Sequence, residues 1–185
     1  TATITLSNPT NSSFSDDTAT LTIADDDSAP TLSIEDVITS NETASNATFT
    51  VSLSQASGKD ISFNYATSND TATAGSDYTS TSGSLTISAG QTSATFNVPI
   101  LADSTDENNE TATITLSNPT NSSFSDDTAT LTIADDDSAP TLSIEDVTTS
   151  NETAANATFT VSLSQASAKD ICLLYTSPSP RDRSS

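Results

Sequence analysis

Three consecutive aspartates, Asp135, Asp136 and Asp137, stand in the heptad "ADDDSAP", and the same seven letters occupy Ala24 to Pro30. Like charges on adjacent side chains repel, and water screens them only in part, so such a run needs open solvent or a cation to offset it. Further acids fall nearby in the pattern at Glu42, Asp70, Asp77, Asp103, Asp106, Glu107 and Glu110. Hard carboxylate oxygens in a chain with no His form a ligand set for Ca²⁺ rather than for zinc or copper. Mg²⁺ keeps more of its water and seldom uses so many carboxylates. The competing reading is an acidic chain that solvates its loops with the acids it has.

The 185 residues include 25 Asp and Glu against four Lys and Arg, a net charge of -21. Four scattered bases cannot form the basic patch that nucleic acid requires, and anionic membrane surfaces are disfavoured for the same reason. No apolar run approaches the roughly 20 residues of a membrane span. No leader opens the chain, which begins mid-pattern at Thr1 and reads as an internal piece of something longer. Enzyme chemistry is poorly served, with no His and no Gly-rich phosphate loop. Glu107 and Glu110 resemble a glycosidase pair by type, but the few Phe and Tyr leave no aromatic platform for a sugar. No catalytic residue is assigned.

The elements that carry these acids repeat. Residues 1–61 align without a gap to residues 111–171, an offset of 110, and only Ile38/Thr148, Ser45/Ala155 and Gly58/Ala168 differ. A period of that size is a whole domain rather than one solenoid turn. Taking the boundary after DDDSA gives the end of one unit at 1–29, a complete unit at 30–139 and the start of a further unit at 140–171. The two part-units carry unpaired strand edges and half a core, which predicts lower order or non-native pairing there. Beyond Ile171 the repeat gives way to "CLLYTSPSPRDRSS". One choice of codons for Cys172 to Ser177 resembles the adapter of transposase-based sequencing libraries, and Pro178 to Asp182 fit its continuation, so 172–185 reads as a non-native tail. Cys172 is then no nucleophile, and the repeat region has no cysteine.

Within the complete unit, segments 31–37, 47–54, 61–67, 84–88, 93–100, 111–117 and 128–134 alternate apolar with small polar residues, separated by Gly, Asn, Asp and Ser. Thr, Ser, Val and Ile dominate, a β composition. Phe49, Val51, Leu53, Phe63, Tyr65, Leu85, Ile87, Phe96, Val98, Ile114, Leu116, Leu131 and Ile133 are predicted to face a core between two antiparallel sheets. Successive strands cross such a sandwich in opposite directions. The first-to-second, third-to-fourth and fifth-to-sixth loops and the exit from the seventh strand therefore emerge at one end, and all ten acids named above lie there. The other end carries Asp60, Asp126 and Asp127 with Lys59, the one base of the unit, so no base of the unit answers the ten acids. Gly83 and Gly90 are expected at turns that need open backbone angles, and Asp77 and Tyr78 at a turn or under a loop.

The stretches "NATFTVSLSQ", "YATSNDTATAGSDYTSTSGSLTISAGQTSATFNVPILADSTDENNETATITLSNPT" and "ATLTIADDD" resemble the Calx-β repeat across nearly all of 30–137, with "TATAGSDY" and the closing "DDD" as the specific parts. The resemblance implies an all-β fold, a seven-stranded immunoglobulin-like antiparallel sandwich. Such repeats occur in the regulatory region of sodium/calcium exchangers and in tandem arrays of large bacterial surface proteins. The family's Ca²⁺ ligands carry over to Glu42, Asp103, Glu107, Glu110, Asp135, Asp136 and Asp137. Asn69 stands where an aspartate is usual, with Asp70 one step later, and Ala102 replaces an acid of the fifth-to-sixth loop. These departures imply fewer ions, held more weakly, than in the exchanger sensors.

The functional expectation is a Ca²⁺-binding spacer repeat of a large extracellular surface or adhesion protein. Its partners are neighbouring repeats of the same chain, with any distal protein or glycan ligand reached through other domains, and with neither nucleic acid nor direct membrane contact. The alternatives are a Ca²⁺-sensing module of a membrane transporter, and an acidic spacer with no specific metal site.

Overall fold

The computed structural model describes residues 1–39, 41–151, 153 and 156–176, and every regular element among them is a β-strand. Residues 177–185, most of the predicted tail, lie outside the described residues, as do Ser40 and the 152, 154 and 155 positions of the last part-unit. Numbered in chain order, the strands are β1 (Ala2–Thr5), β2 (Thr18–Leu21), β3 (Thr31–Ile34), β4 (Val37–Ile38), β5 (Asn46–Leu53), β6 (Ile61–Asn69), β7 (Ser82–Ile87), β8 (Ser93–Pro99), β9 (Glu110–Thr120), β10 (Ser123–Phe124), β11 (Thr128–Ile133), β12 (Leu142–Ile144) and β13 (Val161–Leu163).

Strands β3 to β11 build two sheets, in the orders β10-β3-β5-β8 and β4-β11-β9-β6-β7. Alternation decides which side chains they enclose: β5 reads exposed, buried, exposed, buried along most of its length, with Ala47, Phe49, Val51 and Leu53 inward. Phe49, Phe63, Leu131 and Ile114 are wholly buried between the sheets, and Phe96 stacks between Phe49 and Tyr65 at ring-centroid separations of 5.4 and 4.0 Å. All thirteen residues expected in the core are buried or, for Tyr65 and Leu85, packed half-buried against it. The sequence reading missed Leu32, Ile34, Ile61, Ala72, Tyr78 and Ile100, which join them. The fold is the all-β antiparallel sandwich that the alternation predicts.

The expected first strand, 31–37, is two strands in different sheets. Leu32 and Ile34 turn into the core while β3 pairs antiparallel with β5, and at Glu35–Asp36 the chain crosses over. Asp36 Oδ1 accepts the Thr130 N–H at 2.7 Å, and β4 then runs parallel to β11 with Val37 opposite Leu131. This switch carries the chain onto the end of β11. Thr39 donates its N–H to the Thr132 carbonyl at 2.9 Å, and Ala134 donates its N–H to Thr39 Oγ1 at 3.0 Å. The first loop is thereby tied to the residues that precede the DDD run.

The sixth strand also outruns its expected range, its pairing continuing to Thr120 through a register shift, with Asn118 at φ 52° and, just past its end, Asn121 at φ 58°, a left-handed backbone that Asn tolerates better than most residues. The chain then bends so that β10 lies parallel to β3. Gly90, at φ 83°, does serve a turn, but Gly83 lies inside β7 and has no positive φ. Its role is steric: a Cβ there would stand 2.8 Å from the Tyr65 hydroxyl that crosses it.

In the flanking stretches β1 and β2 pair Ala2 with Leu21 and Thr5 with Thr18, the register that β9 and β11 use 110 positions later. Strands β12 and β13 likewise pair Leu142 with Leu163, as Leu32 pairs with Leu53. Local pairing is thus written into each hairpin, but its burial is not. Ile4 is 59% exposed, whereas its counterpart Ile114 is fully enclosed by the opposite sheet.

Substituting Gly83→Ala is expected to cost about 1–3 kcal/mol by forcing Tyr65 off the Phe96 ring. Gly58→Ala, which meets nothing within 4 Å and copies Ala168 of the next unit, is expected to fall within about 0.5 kcal/mol of neutral. Urea unfolding of both variants checks the pair, and equal effects would contradict the steric account.

Candidate metal centre

Each loop at one end of the sandwich delivers its carboxylate for a local reason. Glu42 follows β4 and is 7% exposed, held there by the Thr39 bonds just described and by its own N–H, which donates to Asp136 Oδ1 at 3.3 Å. Asp77 sits in the β6–β7 loop, where its Oδ2 accepts the Thr73 N–H at 2.6 Å and closes a turn through Gly75 at φ 96°. In the β8–β9 loop, Asp103 Oδ1 accepts the Thr105 N–H at 2.6 Å, and Glu110 opens β9. After β11, Asp135 donates its N–H to Asn109 Oδ1 at 3.2 Å and accepts the Asp137 N–H at 3.3 Å on its own Oδ1. The aspartate run is therefore folded back over the loop before β9 rather than extended into solvent.

The result is two groups of three acids: Glu42 with Asp135 and Asp137, and Asp77 with Glu107 and Glu110, each offering oxygens that all lie within 4.8 Å of one another. At that separation a pair of carboxylates repels by about 3–4 kcal/mol at an effective dielectric near 20, far more than exposed surface charges feel. The side chains record this. Burial, reinforced by Asp103, Asp135, Glu107 and Asp137, pushes the Glu42 carboxyl up to about 7. Burial also pushes Glu110 up to about 7, with its hydrogen bond to Asp77 and the charges of Asp77, Glu107 and Glu42 adding to it. Glu107 and Asp137 are raised in the same direction, first by burial and then by the acids around them.

One atom tests whether an ion suits this pocket. Asp137 Oδ2 is buried without a hydrogen-bond partner, an arrangement that normally costs more than a kcal/mol and that a bound cation would relieve. It lies on the carboxylate that belongs to the Glu42 group. Several carboxylate oxygens from separate loops, with no nitrogen or sulfur among them, fit Ca²⁺.

Of the residues singled out from the sequence, the structure brings Glu42, Glu107, Glu110, Asp135 and Asp137 into these two groups. Asp103 and Asp136 stand beside them, exposed; Asp103 lifts Glu42 and Glu107, and Asp136 anchors the Glu42 backbone. Asp70 is set apart, its Oδ2 accepting from the Thr111 hydroxyl at 2.7 Å. Asn69 is a scaffold residue, its Oδ1 accepting from the Tyr78 hydroxyl at 2.7 Å and from the Ala74 N–H at 3.0 Å. Asp77, read from the sequence as a turn former, is both that and a member of the second group. Strand parity had placed it at this pole, and only the β6–β7 turn geometry aims it at Glu110. No base of the unit itself meets these acids among the described residues; the one that does is Lys169 of the following part-unit, 2.6 Å from Asp106 Oδ1 and 3.3 Å from Asp135 Oδ2.

Glu42 and Glu110 hold their protons to about pH 7 when folded and release them near the ordinary glutamate value of 4.5 when unfolded. Between those values the ion-free fold binds more protons than the unfolded chain, so its stability is greatest below the window and falls as pH rises through it. Melting temperature in chelator is expected to drop between about pH 5 and pH 8, while saturating Ca²⁺ removes the drop by favouring the deprotonated acids. A flat profile in chelator would contradict the crowding.

Residues 25–137 match the Calx-beta domain family model. No curated protein matches the chain. Among solved structures, the apo form of the Calx CBD1 domain is similar at 23% identity and a TM-score of 0.55, covering 60% of this chain and 100% of that one. CBD12 from CALX1.2 is similar at 24% identity and a TM-score of 0.55, covering 62% of this chain and 49% of that one. The calcium binding domain CBD12 of CALX1.1 is similar at 25% identity and a TM-score of 0.53, covering 62% of this chain and 50% of that one. The chain thus spans about half the length of each CBD12 structure, and likeness at such identities is likeness of fold. With the family model covering more than half of its residues, over the sandwich and both acidic groups, the chain belongs to the Calx-beta domain family, whose domains bind Ca²⁺.

Proposed function

We propose that this chain is a Ca²⁺-binding structural spacer of a large extracellular surface or adhesion protein, in which the ion stiffens the joints between successive repeats. The observation that carries the reading is the position of the acidic pole. Asp135 to Asp137 belong at once to the candidate ion site and to the linker, and only "SAP" separates them from the next repeat's first strand. An ion that joins Asp135 and Asp137 to Glu42 fixes the last residues before that linker to the body of the sandwich. Pro140 narrows the remaining freedom. Near-identity between copies 110 residues apart favours a mechanical element repeated for length over a single tuned sensor.

Stiff joints let a rod project whatever binding domain it carries, for a protein or glycan target, away from a cell surface. Without the ion, six close carboxylates and the neighbouring Asp136 repel, and the joint loosens. The chemistry assigns no reaction to the site; its acids hold an ion and bind no substrate. A second reading, a Ca²⁺-sensing regulatory module of a membrane transporter, draws its support from the fold likeness to the CBD12 structures. The spacing of near-identical units weighs against it, because a sensor gains nothing from copies of itself.

Millimolar Ca²⁺ is expected to raise the melting temperature of the chain by several degrees, as any ligand of the native state must. Glu42→Gln is expected to stabilise the ion-free fold, because it removes a crowded charge, and to weaken Ca²⁺ binding about tenfold or more in titration calorimetry. Small-angle scattering should show a longer, less variable particle with Ca²⁺ than with chelator. Absence of both heat and thermal shift at millimolar Ca²⁺ would leave an acidic surface with no specific site.

A further inference from the structure

The one base of each repeat lies in the loop after its second strand, as Lys59 in "SQASGKD" and Lys169 in "SQASAKD". Parity puts that loop at the end opposite its own repeat's acidic pole, which in a linear arrangement is the end that faces the preceding repeat. The structure places Lys169 there: its Nζ is 2.6 Å from Asp106 Oδ1 and 3.3 Å from Asp135 Oδ2 of the complete unit. Two further hydrogen bonds and a strand bridge seat the same loop. Ser167 Oγ donates to Asp106 Oδ2 at 2.9 Å, the Ala168 N–H donates to the Asp106 carbonyl at 3.0 Å, and Ser167 and Asp106 form a parallel bridge. Asp106 is nearly enclosed at 5% exposure, and its carboxyl lies below its ordinary range because Lys169 and Ser167 bond it. A glutamine beside the loop holds the linker: Gln165 Nε2 donates to the Ser138 carbonyl.

The other junction supplies a comparison within the same molecule. Gln55 Nε2 donates to the Ser28 carbonyl at 2.7 Å, so the linker clamp recurs. Residues 1–29 match 111–139, so the position equivalent to Asp106 falls ahead of Thr1. Here Lys59 makes no ion pair among the described residues, and its loop, with Ser57, Gly58, Asp25 and Asp27, borders an open cavity of about 510 Å³. The linker clamp therefore forms at both junctions, and the lysine contact is seen at the junction that includes the β8–β9 loop.

We propose that the loop Ser167–Ala168–Lys169, and its repeat-by-repeat equivalents, is an ion-independent docking latch, whose partner surface is Asp106 and Asp135 of the repeat before it. Lysine supplies a fixed positive charge at the edge of the acidic pole, so consecutive repeats are registered against one another before a divalent ion binds. The latch goes beyond the Ca²⁺ reading, since none of its bonds requires an ion. Glu42, Glu107, Glu110 and Asp137 take no part in it, and Asp135 is the one residue that the latch and the ion site share.

The test is hydrogen exchange at the Ala168 amide, read by NMR on the whole chain in chelator. The amide is expected to be protected in the parent protein. In Lys169→Gln its exchange is expected to quicken about 5- to 10-fold, the range of a charge-assisted bond at a partly exposed site. Lys169→Arg should keep the protection, Lys59→Gln should leave Ala168 unchanged, and core amides such as Val51 and Val98 should report an intact sandwich throughout. An Ala168 amide that exchanges freely in the parent, or at the parent's rate in Lys169→Gln, overturns the latch. Because chelator is present, the absence of Ca²⁺ binding in calorimetry would overturn the spacer reading and leave this result standing.

Discussion

Repulsion among carboxylates at one pole is the constraint on which the arrangement of this protein depends. Six acids in two groups of three share a space where, within each group, the oxygens lie within 4.8 Å of one another, and three loops and a strand exit must all be held for that to occur. No hydrophobic gain comes from gathering them, and burial makes it worse, as the raised carboxyls of Glu42 and Glu110 show. The sandwich core supplies the energy that keeps them together. Phe49, Phe63, Phe96 and the branched residues of β5, β9 and β11 fix the strands, and the strands fix the loops.

Three kinds of positive charge can relieve such a pole, and the structure provides for each. Protons do so below neutrality, where Glu42 and Glu110 remain protonated in the ion-free fold. Ca²⁺, the ion of the family, suits the oxygen set and the orphaned Asp137 Oδ2. Lys169 relieves the rim through Asp106, which lies outside both groups, and through Asp135, a member of the Glu42 group. Protons and Ca²⁺ compete for Glu42 and Glu110, whereas Lys169 meets the ion groups only at Asp135, so the pole has an inner part for an exchangeable cation and an outer part for a tethered one.

The strand switch at Glu35–Asp36 shows how fold and site are coupled. Had 31–37 continued as one strand, the following loop would have left from the β3–β5 sheet, away from β11. Crossing to β4 instead lays Thr39 along the end of β11 and brings Glu42 over Asp136. Alternation over 31–37 breaks at Val37, which is out of phase with Leu32 and Ile34, but the break does not say which sheet the chain joins next. The choice is made by hydrogen bonds between residues 94 positions apart in the chain, Asp36 with Thr130 and Glu42 with Asp136.

Period-2 alternation by itself determined the strands, the core and, through parity, the pole at which the acids gather, because side-chain direction and strand direction are local properties that an antiparallel sandwich propagates without ambiguity. The hairpin registers were local as well, since β1 with β2 and β12 with β13 keep them outside a full sandwich. Which acids meet was decided only in three dimensions. Asp77 joins Glu107 and Glu110 through the turn around Gly75, Asp70 turns aside to Thr111, and Lys169 arrives from another unit. Those outcomes depend on loop backbone and on the packing of one repeat against the next, and neither leaves a periodic trace in the chain, because a loop's direction is set by contacts distant in sequence.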